Sequence, residues 1–349
     1  MSTSLSPLRR LSRLGTSPGA RRFLGAALSL VLVFMLAGCQ DGAGSPSNGK
    51  GPPLRLGWQP PWANQGQIVT VLKTTDLLAH DGIAVEYVPF TYGGPMGEAA
   101  LAGRIDIMLA GDQPVLTLLS RSDDWRIVAR MTNYRSAILV PLQSPATSLE
   151  DLMGMRIATA FGSTTHRDLM RMLEDAGLKD EVQVVNVDQA EQAGVIAAGG
   201  EETWGELAAI ASYDPTVAAS VQKSRAKILK AWASPGLVAV RREIVEQHPD
   251  LVRSFLRAYA QAFVAYAETP EVFDDRYTTE SRLALTAADY RAIAAFEPNM
   301  QARALKNVNI RLTEKFLQQL DRNADVARQL GIIRQKPDLK KMADVTLAP

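Results

Sequence analysis

Gly162-Ser163-Thr164-Thr165-His166 sets three hydroxyls and an imidazole in a row behind a glycine. Hydroxyls in such a run can each donate to an oxyanion, and a glycine lets the backbone itself approach a ligand. That chemistry is strongest where the run opens a helix, because the first helical amides have no partner within the helix and carry partial positive charge. The flanking residues predict this arrangement. Arg156 to Ala160 is a short run suited to a buried strand, and Phe161-Gly162 breaks it. Leu169, Met172, Leu173 and Ala176 then mark one face of a helix. Gly177 stands at a left-handed C-cap, and Thr165 with Asp168 fits an N-terminal capping pair. The plainer use of the same hydroxyls is one cap and two solvated side chains.

Two other chemistries are tested by the same residues. Ser163, His166 and Asp168 are the residue types of a hydrolytic triad. Their spacing on one helix start does not set a base against a nucleophile with an orienting group behind it, so no catalysis is expected. The histidines at 80, 166 and 248 lack metal-ligand spacing, and no metal or other cofactor is expected.

The elements that must position the run begin after an export signal. Arg9, Arg10, Arg13, Arg21 and Arg22 form a basic region, and Phe23 to Leu36 is an apolar run of 14 residues, short for a membrane span. Leu36-Ala37-Gly38-Cys39 follows, with Cys39 the only cysteine in the chain. This resembles a bacterial lipobox: residues 1–38 are a signal peptide, and Cys39 is the acylated (palmitate-bearing) first residue of the mature protein. Gln40 after the cysteine implies an outer-membrane tether where the cell has one. Residues 39–53 then form a flexible linker. Without the five arginines of the signal the chain is net −4, with no basic stripe for nucleic acid.

From Leu54 onward strands and helices alternate, which predicts α/β architecture with mainly parallel sheet. Strands are expected at Leu54–Gly57, Ile83–Phe90, Ile105–Ala110, Arg126–Thr132, Ala137–Val140, Val182–Val187, Leu207–Ala211, Ala226–Ala231 and Gly236–Val240. Helices are expected at Gln67–His80, Pro95–Ala102, Pro114–Arg121, Ser148–Met153 and Gln189–Ala198. Beyond Pro249 the pattern becomes helical, with Leu251, Phe255, Tyr259, Phe263 and Tyr266 on one stripe that reads as core packing. Further helices are expected around Ala287–Phe296, Leu312–Leu330 and Pro337–Asp344.

Several segments in this order carry a resemblance. They are Leu54-Arg55-Leu56-Gly57-Trp58-Gln59-Pro60, Leu101-Ala102-Gly103-Arg104-Ile105-Asp106, Gly111-Asp112-Gln113-Pro114 and Ser136-Ala137-Ile138-Leu139-Val140. Ser148-Leu149-Glu150-Asp151-Leu152, the run from Gly162 to His166, Tyr213-Asp214-Pro215 and His248-Pro249-Asp250-Leu251-Val252 continue the series. Together they resemble the periplasmic solute-binding proteins of ABC importers, in the branch for nitrate, taurine and aliphatic sulfonates that includes thiamine-precursor binders. The resemblance implies a two-lobed type II periplasmic binding protein fold joined by two crossings. Lobe 1 would be residues 54–136 with 237–349, and lobe 2 residues 137–236.

A cleft between the lobes would receive the loops that follow the strands. Gln59, Trp62 and Asn64 lie in the first of these, where Trp62 is an apolar wall or a lobe-packing residue and the amides are donors. Asp112 reads as a helix cap and Gln113 as a ligand. Ser136 faces the cleft by resemblance. Gly162, Ser163, Thr164 and Thr165 form its anion-holding floor, with His166 able to tune anion binding by its charge. Tyr213 stands where relatives have tryptophan, and Asp214 is a cleft carboxylate or a cap. Trp204, in the longer segment 200–206, is either a replacement aromatic or part of an exposed loop.

The implied function is a lipid-anchored, monomeric receptor that delivers a small anionic or zwitterionic solute, sulfonate- or taurine-like, to a permease and its ATPase. Two rivals stand beside it. One is an enzyme on the same fold making pyrimidine or quinone precursors. The other is a sensor or partner-binding lipoprotein without transport, which Gln40 favours.

Overall fold

A computed structural model of the chain describes residues 53–198, 204–281 and 283–349. The signal peptide, Cys39, Gln40 and nearly all of the linker lie outside the described residues. Among the described residues no helix is long and apolar enough to cross a membrane.

The strands are β1 (Leu54–Trp58), β2 (Val85–Pro89), β3 (Ile107–Gly111), β4 (Trp125–Pro141), β5 (Arg156–Thr159), β6 (Gln183–Asn186), β7 (Leu207–Tyr213) and β8 (Ala226–Arg241). The helices up to β8 are α1 (Ala63–Thr74), α2 (Leu77–His80), α3 (Gly93–Leu101), α4 (Asp112–Arg121), α5 (Thr164–Asp175), α6 (Gln189–Ala198) and α7 (Thr216–Gln222). After β8 come α8 (Arg242–Gln247), α9 (Pro249–Glu268), α10 (Pro270–Ser281), α11 (Ala287–Ala294), α12 (Glu314–Gln329) and α13 (Leu339–Met342).

All eight strands form one sheet in the order β2-β1-β3-β8-β4-β7-β5-β6. β1 pairs in parallel with β2 and β3, and β5 in parallel with β6 and β7. The two parallel sets are joined by β4 and β8, which run antiparallel to each other through both. β3 pairs with residues 236–240 of β8, whereas β7 pairs with residues 136–139 of β4. The sheet therefore has two halves, and the chain crosses between them in the middle of β4 and β8. The sequence predicts two strands at each of these places. The structure instead has one long strand each, and the pairing absorbs Pro235 opposite Asn133 beside a register shift between Arg130 and Asn133. Proline has no N–H for a regular ladder, so it is tolerated where the ladder is already irregular.

Each half is covered on both faces, which is why the strands read as continuous apolar runs. Leu56, Ile107 and Leu109 face α1 and α9, while Met108 and Ala110 face α3 and α4. The stripe Phe255, Tyr259, Phe263 and Tyr266 lies fully in the first core. In the second half Ile157, Leu169 and Leu173 pack on one face, and Ala158, Ile196 and Ile210 on the other. Trp204 is buried in that second cluster, so it is not part of an exposed loop.

α10 has no apolar periodicity and was not foreseen from sequence; long-range contacts hold it. Tyr277 is fully buried, donates from its hydroxyl to the Pro60 carbonyl at 2.6 Å, and packs against Gly66 of α1. A Cβ on Gly66 would stand 2.2 Å from the Tyr277 ring. Gly66→Ala is therefore expected to destabilise the protein by about 1–3 kcal/mol through overpacking. Gly97→Ala in α3, where an added Cβ meets nothing within 4 Å, is expected to stabilise by roughly 0.5–1 kcal/mol. Urea unfolding of the two variants beside the parent protein checks both signs.

Candidate functional site

The two halves meet where β3 passes into α4 and β5 passes into α5. After β5 the chain turns through Gly162, whose φ of +77° suits glycine, and Ser163 takes extended angles before the first helical turn. From there the Ser163 hydroxyl accepts the His166 amide at 3.0 Å, so Ser163 is the N-cap of α5 rather than Thr165. Thr164 and Thr165 then point across to the other strands. The Thr164 hydroxyl donates to Asp112 Oδ1 at 2.8 Å and accepts the Gln113 amide at 3.2 Å. Thr165 Oγ1 lies 3.0 Å from Ser136 Oγ, which lies 2.8 Å from Ser234 Oγ. The hydroxyl run is buried at the seam, and each hydroxyl is engaged by the protein.

The centre of this seam is a carboxylate in a cradle of donors. Asp112, with no exposed surface, accepts Thr164 Oγ1, Arg167 Nη1 at 2.7 Å and Asn323 Nδ2 at 2.7 Å. Arg167 is only 2% exposed and also donates from Nε and Nη2 to Asp168 Oδ1, at 3.0 and 2.7 Å. Trp232 Nε1 donates to the other oxygen of Asp168 at 2.9 Å. Burial works against the Arg167 charge, but the two carboxylates outweigh it and hold its pKa above the ordinary value. Burial raises the Asp168 pKa, opposed by Arg167 and reinforced by the Asp112 charge. One guanidinium thus faces two carboxylates. The approach is close enough that a Cβ on Gly111 would stand 2.5 Å from Thr164 Oγ1 and 2.8 Å from the Tyr134 hydroxyl.

The remaining sequence candidates fall around this seam. Trp62 is buried and meets Tyr134 edge-on, with ring centroids 4.4 Å apart, and Tyr213 at 6.3 Å. Asn64 Nδ2 donates to the Asn133 carbonyl at 3.2 Å, on the crossing segment of β4. Gln59 is buried and donates its amide to the Gln65 side chain. The Gln113 side chain donates to Thr117 Oγ1 at 3.0 Å. Trp62 Nε1, Asn64 Oδ1 and Gln113 Oε1 are buried with no hydrogen-bond partner among the described residues. Such atoms are costly unless something supplies the missing bond.

Asp214 turns away toward α7. It accepts Arg135 at 2.9 and 3.1 Å and the Ala218 amide at 3.0 Å, combining an ion pair with a helix cap. His166 stacks on Phe161 at 4.5 Å, and its Nδ1 accepts the Gly162 amide at 3.3 Å. Burial pushes the imidazole pKa down to about 4. At neutral pH the ring is uncharged, which corrects the expectation that its charge tunes an anion there.

Ser163, His166 and Asp168 are each committed elsewhere, so they do not form a nucleophile–base–orienter chain. Among the described residues no group of three or more His, Cys, Asp or Glu side chains could hold a metal. Sequence reasoning missed Arg167, Asn323 and Trp232. Nothing local to the start of α5 links it to positions 112, 232 and 323.

A family model described as NMT1/THI5 like matches residues 71–272. A protein of Bacillus subtilis (strain 168) named for aliphatic sulfonate binding is 25% identical over 337 residues, 92% of this chain and 95% of that one. The taurine-binding periplasmic protein of Escherichia coli (strain K12) is 25% identical over 212 residues, 58% of this chain and 64% of its own length. Among solved structures, the alkanesulfonate-binding protein SsuA from Xanthomonas axonopodis pv. citri bound to MOPS superposes with a TM-score of 0.69 at 21% identity. That match covers 86% of this chain and 99% of that one. The desulfurization enzyme DSZB shares the fold with a TM-score of 0.58 at 17% identity, over 85% of this chain and 97% of its own.

Two consequences of the site geometry can be measured. Arg167→Met leaves two buried carboxylates facing each other and is expected to cost about 3–5 kcal/mol in urea unfolding. The His166 pKa is lower in the folded protein than in the unfolded chain, so its contribution is full above pH ~6.5 and is lost as pH falls toward about 4. His166→Gln should therefore lose less stability than the parent protein between pH 7 and pH 4.5.

Proposed function

Because the chain belongs to the NMT1/THI5-like family, we propose that it is the solute receptor of an ABC importer and binds a small sulfonate-like solute between the halves of its sheet, without turning it over. The observation that carries this reading is the cradle around Asp112. Thr164, Arg167 and Asn323 converge on one carboxylate supplied by the chain itself. A sulfonate is an acid group of similar charge with more acceptor oxygens, so it can take the same donors once Asp112 moves aside. A sulfonate oxygen also offers an acceptor to the unpaired Trp62 Nε1. The remaining polar candidates, Gln59, Ser136, Thr165 and Tyr213, line the approach, and Gly162, Ser163 and His166 fix the start of α5.

The lobes in this proposal are residues 54–136 with 237–349, and 137–236. Their relative motion turns on the crossing segments of β4 and β8. The body is held at the periplasmic face of a bacterial membrane by acylated Cys39, acts as a monomer, and passes solute to a permease with its ATPase. Gln40 favours an outer-membrane tether, and that is the observation behind the second reading, a sensor or partner-binding lipoprotein on the same fold. The DSZB likeness is the one behind an enzyme.

A thermal-shift screen of the purified protein with alkanesulfonates, taurine, nitrate and pyrimidines tests the proposal. A ligand of the folded state raises Tm by mass action, and at least one sulfonate is expected to do so while remaining unconverted by NMR. Thr164→Val should weaken that ligand about tenfold or more by removing a hydrogen bond to a charged group. Asp112→Asn should strengthen it, because the competing carboxylate is gone. Weakening in both variants would remove the displacement scheme.

A further inference from the structure

The cradle presents its donors one at a time. Asp112 Oδ1 takes the Thr164 hydroxyl, while Oδ2 is shared by Arg167 Nη1 and Asn323 Nδ2. Three donors thus meet an acid group that has two oxygens. Thr164 is held in the donating sense, because its own oxygen accepts the Gln113 amide. Arginine most often meets a carboxylate with a forked edge, through two parallel N–H···O bonds. Here the Nε–Nη2 edge is occupied. Both nitrogens donate to Asp168 Oδ1, at 3.0 and 2.7 Å, and Asp112 is reached by Nη1 alone. Asp168 is fixed in turn from its far side. Its Oδ2 accepts Trp232 Nε1 at 2.9 Å, from the position of β8 that pairs with Ser136 of β4. Trp232 is half-buried at the edge of its core cluster, so phenylalanine there keeps a ring and removes only the N–H.

We propose that Asp168 and Trp232 are positioning residues that make the cradle select a sulfonate over a carboxylate. The inference rests on the function proposed above. A free carboxylate brings two oxygens, which Asp112 already brings from within the chain. With the Nε–Nη2 edge occupied, it gains nothing that Asp112 lacks, and the tethered group wins by its high effective concentration. A sulfonate brings three oxygens, one each for Thr164, Arg167 Nη1 and Asn323.

Calorimetric titration with ethanesulfonate and propionate, one alkyl chain on two acid groups, reads the selection as a ratio of affinities. The parent protein is expected to favour ethanesulfonate about thirtyfold or more. Asp168→Ala leaves Arg167 paired with Asp112 and frees the forked edge, so the ratio should fall about tenfold. Removing a negative charge favours both anions alike, which is why the ratio, rather than either affinity, reports the edge. Trp232→Phe keeps the charge but loosens Asp168, and should lower the ratio about threefold. Melting checks that both variants fold; if Asp168→Ala does not, Trp232→Phe decides. Were these residues only holding the halves together, both ligands would weaken in step. A ratio unchanged in the folded variants, or a parent ratio near one, would overturn the selection and leave the receptor function standing. Failure of both compounds to bind the parent protein would overturn both.

Discussion

Arg167 carries a full positive charge into a place with almost no water, and the arrangement of the seam follows from that. Moving a guanidinium out of solvent costs several kcal/mol unless its donors are used and its charge is answered. Here Nε, Nη1 and Nη2 all find carboxylate oxygens, from a neighbour on the same helix and from a residue on the opposite half of the sheet. Asp112 can reach it only because Gly111 allows the β3–α4 turn to approach Thr164 without a side chain between them. Asn323 on α12 and Trp232 on β8 then complete the two carboxylates. Four segments far apart in the chain are tied together by one charge.

Such a knot can open in a way an apolar seam cannot. The bonds that centre on Asp112 are directed bonds to an acid group, and an acid group brought from outside can take over those bonds. Each half is closed on both faces, and the two cores touch where Tyr213 joins the first and where Ala218 packs with Ala63 and Tyr277. The crossing strands supply continuity. At the irregular point of β4, buried Glu297 accepts the Asn133 amide at 2.5 Å and Arg130 at 3.2 Å, which anchors the crossing to the C-terminal helices.

The local elements were legible because their causes are local. The strand–glycine–hydroxyl–helix stretch from 156 to 177 folds as its pattern dictates: β5 ends at Thr159, Leu169 and Leu173 are buried, and Gly177 has a φ of +70°. The cap moved from Thr165 to Ser163, since only the residue before the first turn has the extended angles that aim an oxygen back at the helix. Two expected strand pairs became the single strands β4 and β8, because each partner extends across the break in the other. α10 escaped notice, as its stability comes from Tyr277 seated on Gly66 and not from a periodic face.

Composition and periodicity by themselves determined the α/β class and the helix start that carries the hydroxyls. The family resemblance, read on the loops that follow the strands, named most of the other residues around the seam. Only the tertiary structure decided what those residues touch: that Asp112 accepts from Thr164, Arg167 and Asn323, that Asp214 belongs to α7, and that His166 is buried against Phe161. The physical reason is distance along the chain. Helix and strand patterns report interactions within a few residues, whereas burial and partner choice for a charged group depend on segments more than two hundred positions away, as Asn323 is from Asp112.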